Sequence, residues 1–160
     1  MPKLKPGSQA PDVSLISVDG SETRLSDVWR QGLTALTLYR GDFCPTCNRH
    51  LHGIEERADA FREAGLQVVA ISADRPETGR ETVQRHGLSF TVLSDPEHRA
   101  IDAYDVVYNE NEGHAEPAVF VISPDGVVRY LSNVSGPVGR LGADELLLIG
   151  QGITGRKAAA

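Results

Sequence analysis

Apolar positions along the chain fall into short blocks, and their spacing changes from block to block. Val13-Ser14-Leu15-Ile16 and Thr23-Arg24-Leu25 flank Asp19-Gly20, a dipeptide that favours a tight hairpin turn between two strands. Ser26-Asp27-Val28-Trp29 reads as one helical turn opening at a serine cap. The run 33–39, Leu-Thr-Ala-Leu-Thr-Leu-Tyr, is apolar and rich in β formers, which predicts a buried strand. Gly41-Asp42-Phe43-Cys44-Pro45 breaks it. From 45 to 64 the apolar stripe Cys47, Leu51, Ile54, Ala58, Phe61 advances by three and four, the period of a helix face, and Gly65 ends it. The run 66–72 is the next strand, so 33–72 forms a strand–helix–strand unit of the right-handed kind.

The pattern then repeats in shorter form. It predicts a helix over 77–86 closed by Gly87, a strand over 90–93, and a helix over 97–104 after Asp95-Pro96. Strands over 118–122 and 127–131 form a hairpin around Pro124-Asp125-Gly126, and a helix over 143–151 closes the chain. This order predicts an α/β architecture: a central mixed sheet with helices on both faces and an N-terminal hairpin extension. One domain over 1–153 is expected, followed by a small, polar, flexible tail over 154–160.

Composition narrows the classes. A chain of 160 residues and 17.3 kDa is one domain that buries its own core. Hydrophobic residues at 40% and charged residues at 24% exclude wholesale disorder and a disulfide scaffold. A formal charge of −6 argues against nucleic acid as a partner. No apolar run approaches the roughly 18 residues of a membrane span, which argues against a membrane partner. The opening Met1-Pro2-Lys3-Leu4-Lys5-Pro6-Gly7 has no apolar core of a secretory signal. A cytoplasmic location is therefore expected.

The two cysteines carry the chemistry. Cys44-Pro45-Thr46-Cys47 is a Cys-x-x-Cys at the junction of a buried strand and a helix N-terminus, the setting of a redox dithiol. Pro45 suits the first helical position, because its missing N–H would be unpaired there anyway. That makes Cys44 the N-cap, facing free N–H groups and the positive helix end, which favour a thiolate. Cys47 lies on the apolar stripe and should face inward, with Cys44 exposed at the tip. Periodicity alone thus makes Cys44 the attacking sulfur and Cys47 its resolving partner. Zinc at Cys44, Cys47, His50 and His52 would need four converging ligands. Their helical spacing spreads them around the axis, so no metal is expected.

Three stretches resemble the peroxiredoxin-like branch of the AhpC/TSA, or redoxin, family. They are 6–12 with Leu15, Asp19-Gly20 and Leu25-Ser26-Asp27; 38–47; and 116–126, Glu-Pro-Ala-Val-Phe-Val-Ile-Ser-Pro-Asp-Gly. The resemblance implies the thioredoxin-like fold. Typical members carry Pro-x-x-x-Thr-x-x-Cys. Aligned through Asp42-Phe43, their peroxidatic cysteine falls on Cys47, their threonine on Cys44 and their proline on Arg40. Their later arginine falls near Pro117, so three of four catalytic positions differ. This alignment makes Cys47 the attacking sulfur toward peroxide, against the periodicity argument, and both assignments stay open here.

The resemblance also implies a cis proline at Pro117, opposite the dithiol. Glu116 would then sit beside the sulfurs. It would either oppose thiolate formation or transfer a proton, unless it is merely a solvated carboxylate. Arg40 is a candidate to stabilise a thiolate or a peroxide oxygen, with a surface arginine as the plainer reading. Tyr39 and Phe43 wall the site or fill the core. His114 lies in the loop 109–114, which is placed to overhang the site. The leading function is a thiol-dependent redox enzyme that reduces hydroperoxides through a Cys44/Cys47 cycle, with Pro45 and Thr46 supporting. It would be recycled by a thioredoxin-type or small-thiol reductant, with no cofactor and a homodimer as a possible assembly. The alternatives are a protein disulfide oxidoreductase and a non-catalytic redox sensor.

Overall fold

In the computed structural model, residues 3–133 and 141–156 are described. Strands β1 (Ser14–Ser17) and β2 (Glu22–Arg24) form the expected hairpin, turned at Gly20 with φ +89°. Helix α1 (Leu25–Trp29) follows, then β3 (Leu33–Leu38), α2 (Pro45–Glu56), α3 (Ala58–Glu63) and β4 (Leu66–Ser72). Next come α4 (Pro76–His86), β5 (Thr91–Ser94), α5 (Arg99–Ala103), β6 (Tyr108–Asn109) and β7 (His114–Ala115). The chain ends in β8 (Ala118–Ile122), β9 (Val128–Asn133) and α6 (Ala143–Thr154).

Seven strands make one mixed sheet in the order β2-β1-β5-β4-β3-β8-β9. Strands β3, β4 and β5 are parallel, and the flanking strands are antiparallel. Alternation then sorts the side chains. Leu33, Ala35, Val68, Val119 and Val121 face Ile54, Phe61 and Leu146 of α2, α3 and α6. Leu36, Leu38, Val69, Ile71, Phe120 and Ile122 face the other way, against Leu25, Trp29, Ile101 and Tyr104. Helices therefore cover both faces, as the pattern predicts. The register Leu38↔Ala118 sets the C-terminal end of β3 beside the start of β8.

Several expectations are corrected. The helix expected over 45–64 is two helices, because Arg57 leaves helical geometry at φ −107°, ψ 19°. Its guanidinium reaches the Asp144 carboxylate of α6 and the Gly53 carbonyl, which ties the bend to the closing helix. Ser26 does not cap α1; the helix opens one residue earlier, and the Ser26 N–H donates to the Asp12 carboxylate at 3.0 Å. The ribbon β6–β7 was not foreseen. The Glu116–Pro117 bond is trans, since the described residues contain no cis peptide bond. Glu116 N–H donates to Val107 O at 2.7 Å, and β8 begins directly after Pro117. Helix α6 extends beyond 151 to Thr154, whose hydroxyl donates to the carbonyls of Ala64 and Gly150. Tail residues 157–160 lie outside the described residues.

Candidate active site

The loop after β3 delivers the dithiol. Cys44 is the N-cap of α2 with an extended backbone (φ −92°, ψ 107°), and Pro45 occupies the first helical position, as expected. Cys44 Sγ accepts the Cys47 N–H at 3.2 Å, and Cys47 Sγ accepts the Arg40 N–H at 3.4 Å. Each sulfur thus faces a backbone donor, an arrangement that stabilises a thiolate over a thiol. The exposed tip expected at Cys44 is not found: Cys44 is 3% exposed and Cys47 is fully buried. Both pack with Tyr39, Leu51, Ala70 and Val92. Phe43 takes the exposed place instead, at 59%. Tyr39 is core, and its phenol is pushed far up by burial.

The turn that tucks Cys44 inward needs glycine at 41, where φ is +147°. A Cβ there would lie 2.8 Å from Phe43 Cε1 and 3.0 Å from Asp74 Oδ1. Asp42 then ties the loop down. Its N–H donates to Asp74 Oδ2 at 2.9 Å, its carboxylate accepts from Thr82 and Arg85 at 2.7 Å each, and its carbonyl accepts from Asn48 at 2.7 Å. Partial burial pushes the Asp42 carboxyl up, but the Thr82 and Arg85 contacts outweigh it and leave it below the ordinary range. Asp74 goes the other way, raised mainly by burial.

On the other side of the loop, Arg40 meets residues far along the chain. Two residues beyond the Leu38↔Ala118 pair, Arg40 Nε and Glu116 Oε2 come within 3.7 Å. The β6–β7 ribbon adds Glu112 and His114. Arg40 Nη2 lies 2.8 Å from Glu112 Oε2 and 2.7 Å from His114 Nε2. His114 Nε2 is also 2.7 Å from Glu112 Oε2, and its Nδ1 is 3.1 Å from Ala115 O and 3.8 Å from Glu116 Oε1. The hydrogen bond to His114, with the Arg40 charge beside it, holds the Glu112 carboxyl below its usual range. The His114 ring lies 5.3 Å from that of Phe43. Arg40, with its side chain 16% exposed, and Glu116, at 5%, are neither surface nor solvated groups. His114, at 1%, does not overhang the site but is built into its wall. Sequence spacing gives no hint of this residue, which is 74 positions from Arg40.

The remaining candidates sit further out. Pro45 and Thr46 are exposed on the first turn of α2. Pro117 lines a void of about 10 Å³ with Thr37, Leu38 and His50, one turn beyond Cys47. The His52 ring faces His86 at 6.4 Å and its Nε2 pairs with Glu56 at 3.3 Å, away from the cysteines. Among the described residues no group of three His, Cys, Asp or Glu is placed to hold a metal. A cleft of about 750 Å³ lies at the opposite end of the sheet, lined by Leu33, Phe61, Leu66 and Arg129, and touches neither cysteine.

Residues 6–131 match the model of the AhpC/TSA family. The chain belongs to that family. A Mycobacterium tuberculosis protein carrying the name peroxiredoxin is 30% identical over 151 residues, 89% of this chain and 95% of the relative. Peroxiredoxin Bcp of Escherichia coli strain K12 is 34% identical over 107 residues, 66% of this chain and 67% of the relative. The thiol-disulfide oxidoreductase ResA of Halalkalibacterium halodurans is 31% identical over 101 residues, 62% of this chain and 56% of the relative. Among solved structures, peroxidoxin BcpB from M. tuberculosis superposes with TM-score 0.82 at 21% identity, covering 94% of this chain and 98% of that one. A peroxiredoxin-like protein from Aquifex aeolicus gives TM-score 0.82 at 23% identity, over 96% and 90%. The fold is thus the thioredoxin-like one. This AhpC/TSA member is a thiol-dependent redox enzyme of the peroxiredoxin-like group. No described helix is long and apolar enough to cross a membrane.

Proposed function

We propose that the protein reduces hydroperoxides with Cys47 as the attacking sulfur and Cys44 as the resolving one. The observation that carries this is the Arg40 N–H on Cys47 Sγ, at 3.4 Å. It sets the family's attacking position against the backbone of the one cationic residue of the loop. The Cys47 thiolate attacks one peroxide oxygen. An S–O bond forms, the O–O bond breaks, and the departing alkoxide takes a proton to leave as alcohol or water. The Cys44 thiol then attacks the sulfenic sulfur, forming the disulfide and releasing water. An external dithiol, thioredoxin-type or small, returns two electrons by exchange. Pro45 supports the cycle by starting the helix and Thr46 by continuing its first turn. Arg40 supplies positive charge, Glu116 holds Arg40, and Pro117 opens the adjoining strand. A single domain over 1–153 carries this chemistry, and a reducing cytoplasm and a homodimer complete the reading.

Quenched-flow thiol counting on reduced protein tests it. Cys44→Ser should keep the fast first reaction with hydrogen peroxide and accumulate sulfenic acid, and Cys47→Ser should lose it. The opposite pattern gives Cys44 the peroxide. A wild type no faster than a free thiol ends the peroxidase reading. A second reading, disulfide reduction through Cys44, is favoured by its place at the N-cap, where it accepts the Cys47 N–H. In that case Cys47→Ser should trap mixed disulfides.

A further inference from the structure

We infer that His114 is a positioning residue for Arg40, the residue whose N–H meets Cys47, and holds its guanidinium in place only in the neutral form. This rests on the dithiol reading above. The family's later arginine is absent at 117, where this chain has proline. Arg40 is the cation of the loop before α2, and its own N–H meets the Cys47 sulfur. Where its side chain points is set by three residues: Glu112, Glu116 and His114.

The contacts around the His114 ring cannot all be made at once. Arginine only donates, and a carboxylate or carbonyl oxygen only accepts. Nδ1 lies 3.1 Å from the carbonyl of Ala115, so a proton on Nδ1 makes that hydrogen bond. Nε2 then presents a lone pair and accepts from Arg40 Nη2 at 2.7 Å; with the proton on Nε2 instead, Nδ1 accepts from Arg40 Nε at 3.4 Å, so either neutral tautomer leaves Arg40 an acceptor. In this neutral state Arg40 bridges His114 and Glu112. Add a proton to Nε2, and the ring donates at both nitrogens: to Ala115 O and to Glu112 Oε2, the latter at 2.7 Å. Arg40 now meets an N–H and a second positive charge where it had an acceptor. It loses that anchor and competes with the ring for Glu112. The charged and titratable groups facing the ring are Arg40, Glu112 and Glu116, with Cys44 and Cys47 behind the loop that carries Arg40 and Phe43. One proton thus releases the side chain of the residue whose N–H meets Cys47 Sγ.

The test is the pH profile of Cys47 reactivity from about pH 5 to about pH 8, the range in which histidine changes charge. Two probes are used on reduced protein: hydrogen peroxide and iodoacetamide. Wild type should show an inflection beyond that of the cysteine, with reactivity falling about tenfold on its acid side, the size of one charge-assisted hydrogen bond. His114→Gln, which accepts without titrating, should lose that inflection and keep the cysteine's. Glu112→Gln, an exposed substitution, should move it to lower pH by removing the negative charge that favours the charged ring. Profiles of both variants that parallel wild type would overturn the inference. If peroxide reacts no faster than with a free thiol, the peroxidase reading fails, while the iodoacetamide profiles still decide the role of His114.

Discussion

Asp42 on the loop before α2 meets Asp74 on the connection after β4, yet burial and hydrogen bonding send their carboxyls in opposite directions. The raised group has a direct consequence for stability. A folded carboxyl with a raised pKa binds more protons than its unfolded counterpart, so stability falls as pH rises through the window above the ordinary value near 4. Asp74→Asn removes this contribution and keeps an oxygen to accept the Asp42 N–H. The variant should match wild type in thermal midpoint at low pH and gain on it as pH rises through the raised value, a trend that melts at a series of pH values will check. Asp42 acts in a separate, lower window, where its stabilising charge is lost on acidification. Of the residues involved at the site, Cys44 and Cys47 were legible from the motif. The loop of His114 was placed near the site, but its contact with Arg40 was not legible, because the two are 74 residues apart and the position depends on a two-residue strand.

Helix α4 reaches the active-site loop as well as covering the sheet. Thr82 is fully buried, and its hydroxyl donates to Asp42 Oδ1. Thr82→Val should cost about 1–3 kcal/mol in urea unfolding, the penalty for leaving a partner unsatisfied. It should also speed alkylation of Cys44, because the loop is less firmly held. Elements with strong periodicity, such as β4 and α4, were read within a residue of their bounds. The bend at Arg57 was invisible, because Ile54, Ala58 and Phe61 keep helical spacing across it while the guanidinium answers to Asp144, 87 residues on. The pair β6–β7 is too short to carry any period at all.

At the level of the molecule, the sheet separates stability from chemistry. Phe120 packs edge-on against Tyr104 at 5.0 Å on the face away from the dithiol. Phe120→Ala should remove about 3–5 kcal/mol of stability. The peroxide rate of the still-folded fraction should stay unchanged, which paired denaturation and quenched-flow measurements will establish. The strand order was predictable only in part. Alternation assigned the faces, but only the structure supplied the Leu38↔Ala118 register that brings Arg40 to Glu116.

Both sulfurs belong to the first turn of one helix, with two residues between them. Closing such a small ring removes little freedom from the unfolded chain, about 2 kcal/mol by loop-closure entropy. The proposed bond would be confined to one turn, so its formation would need no second copy of the chain. In the proposed cycle the dithiol is a local clasp that opens and closes within a single chain.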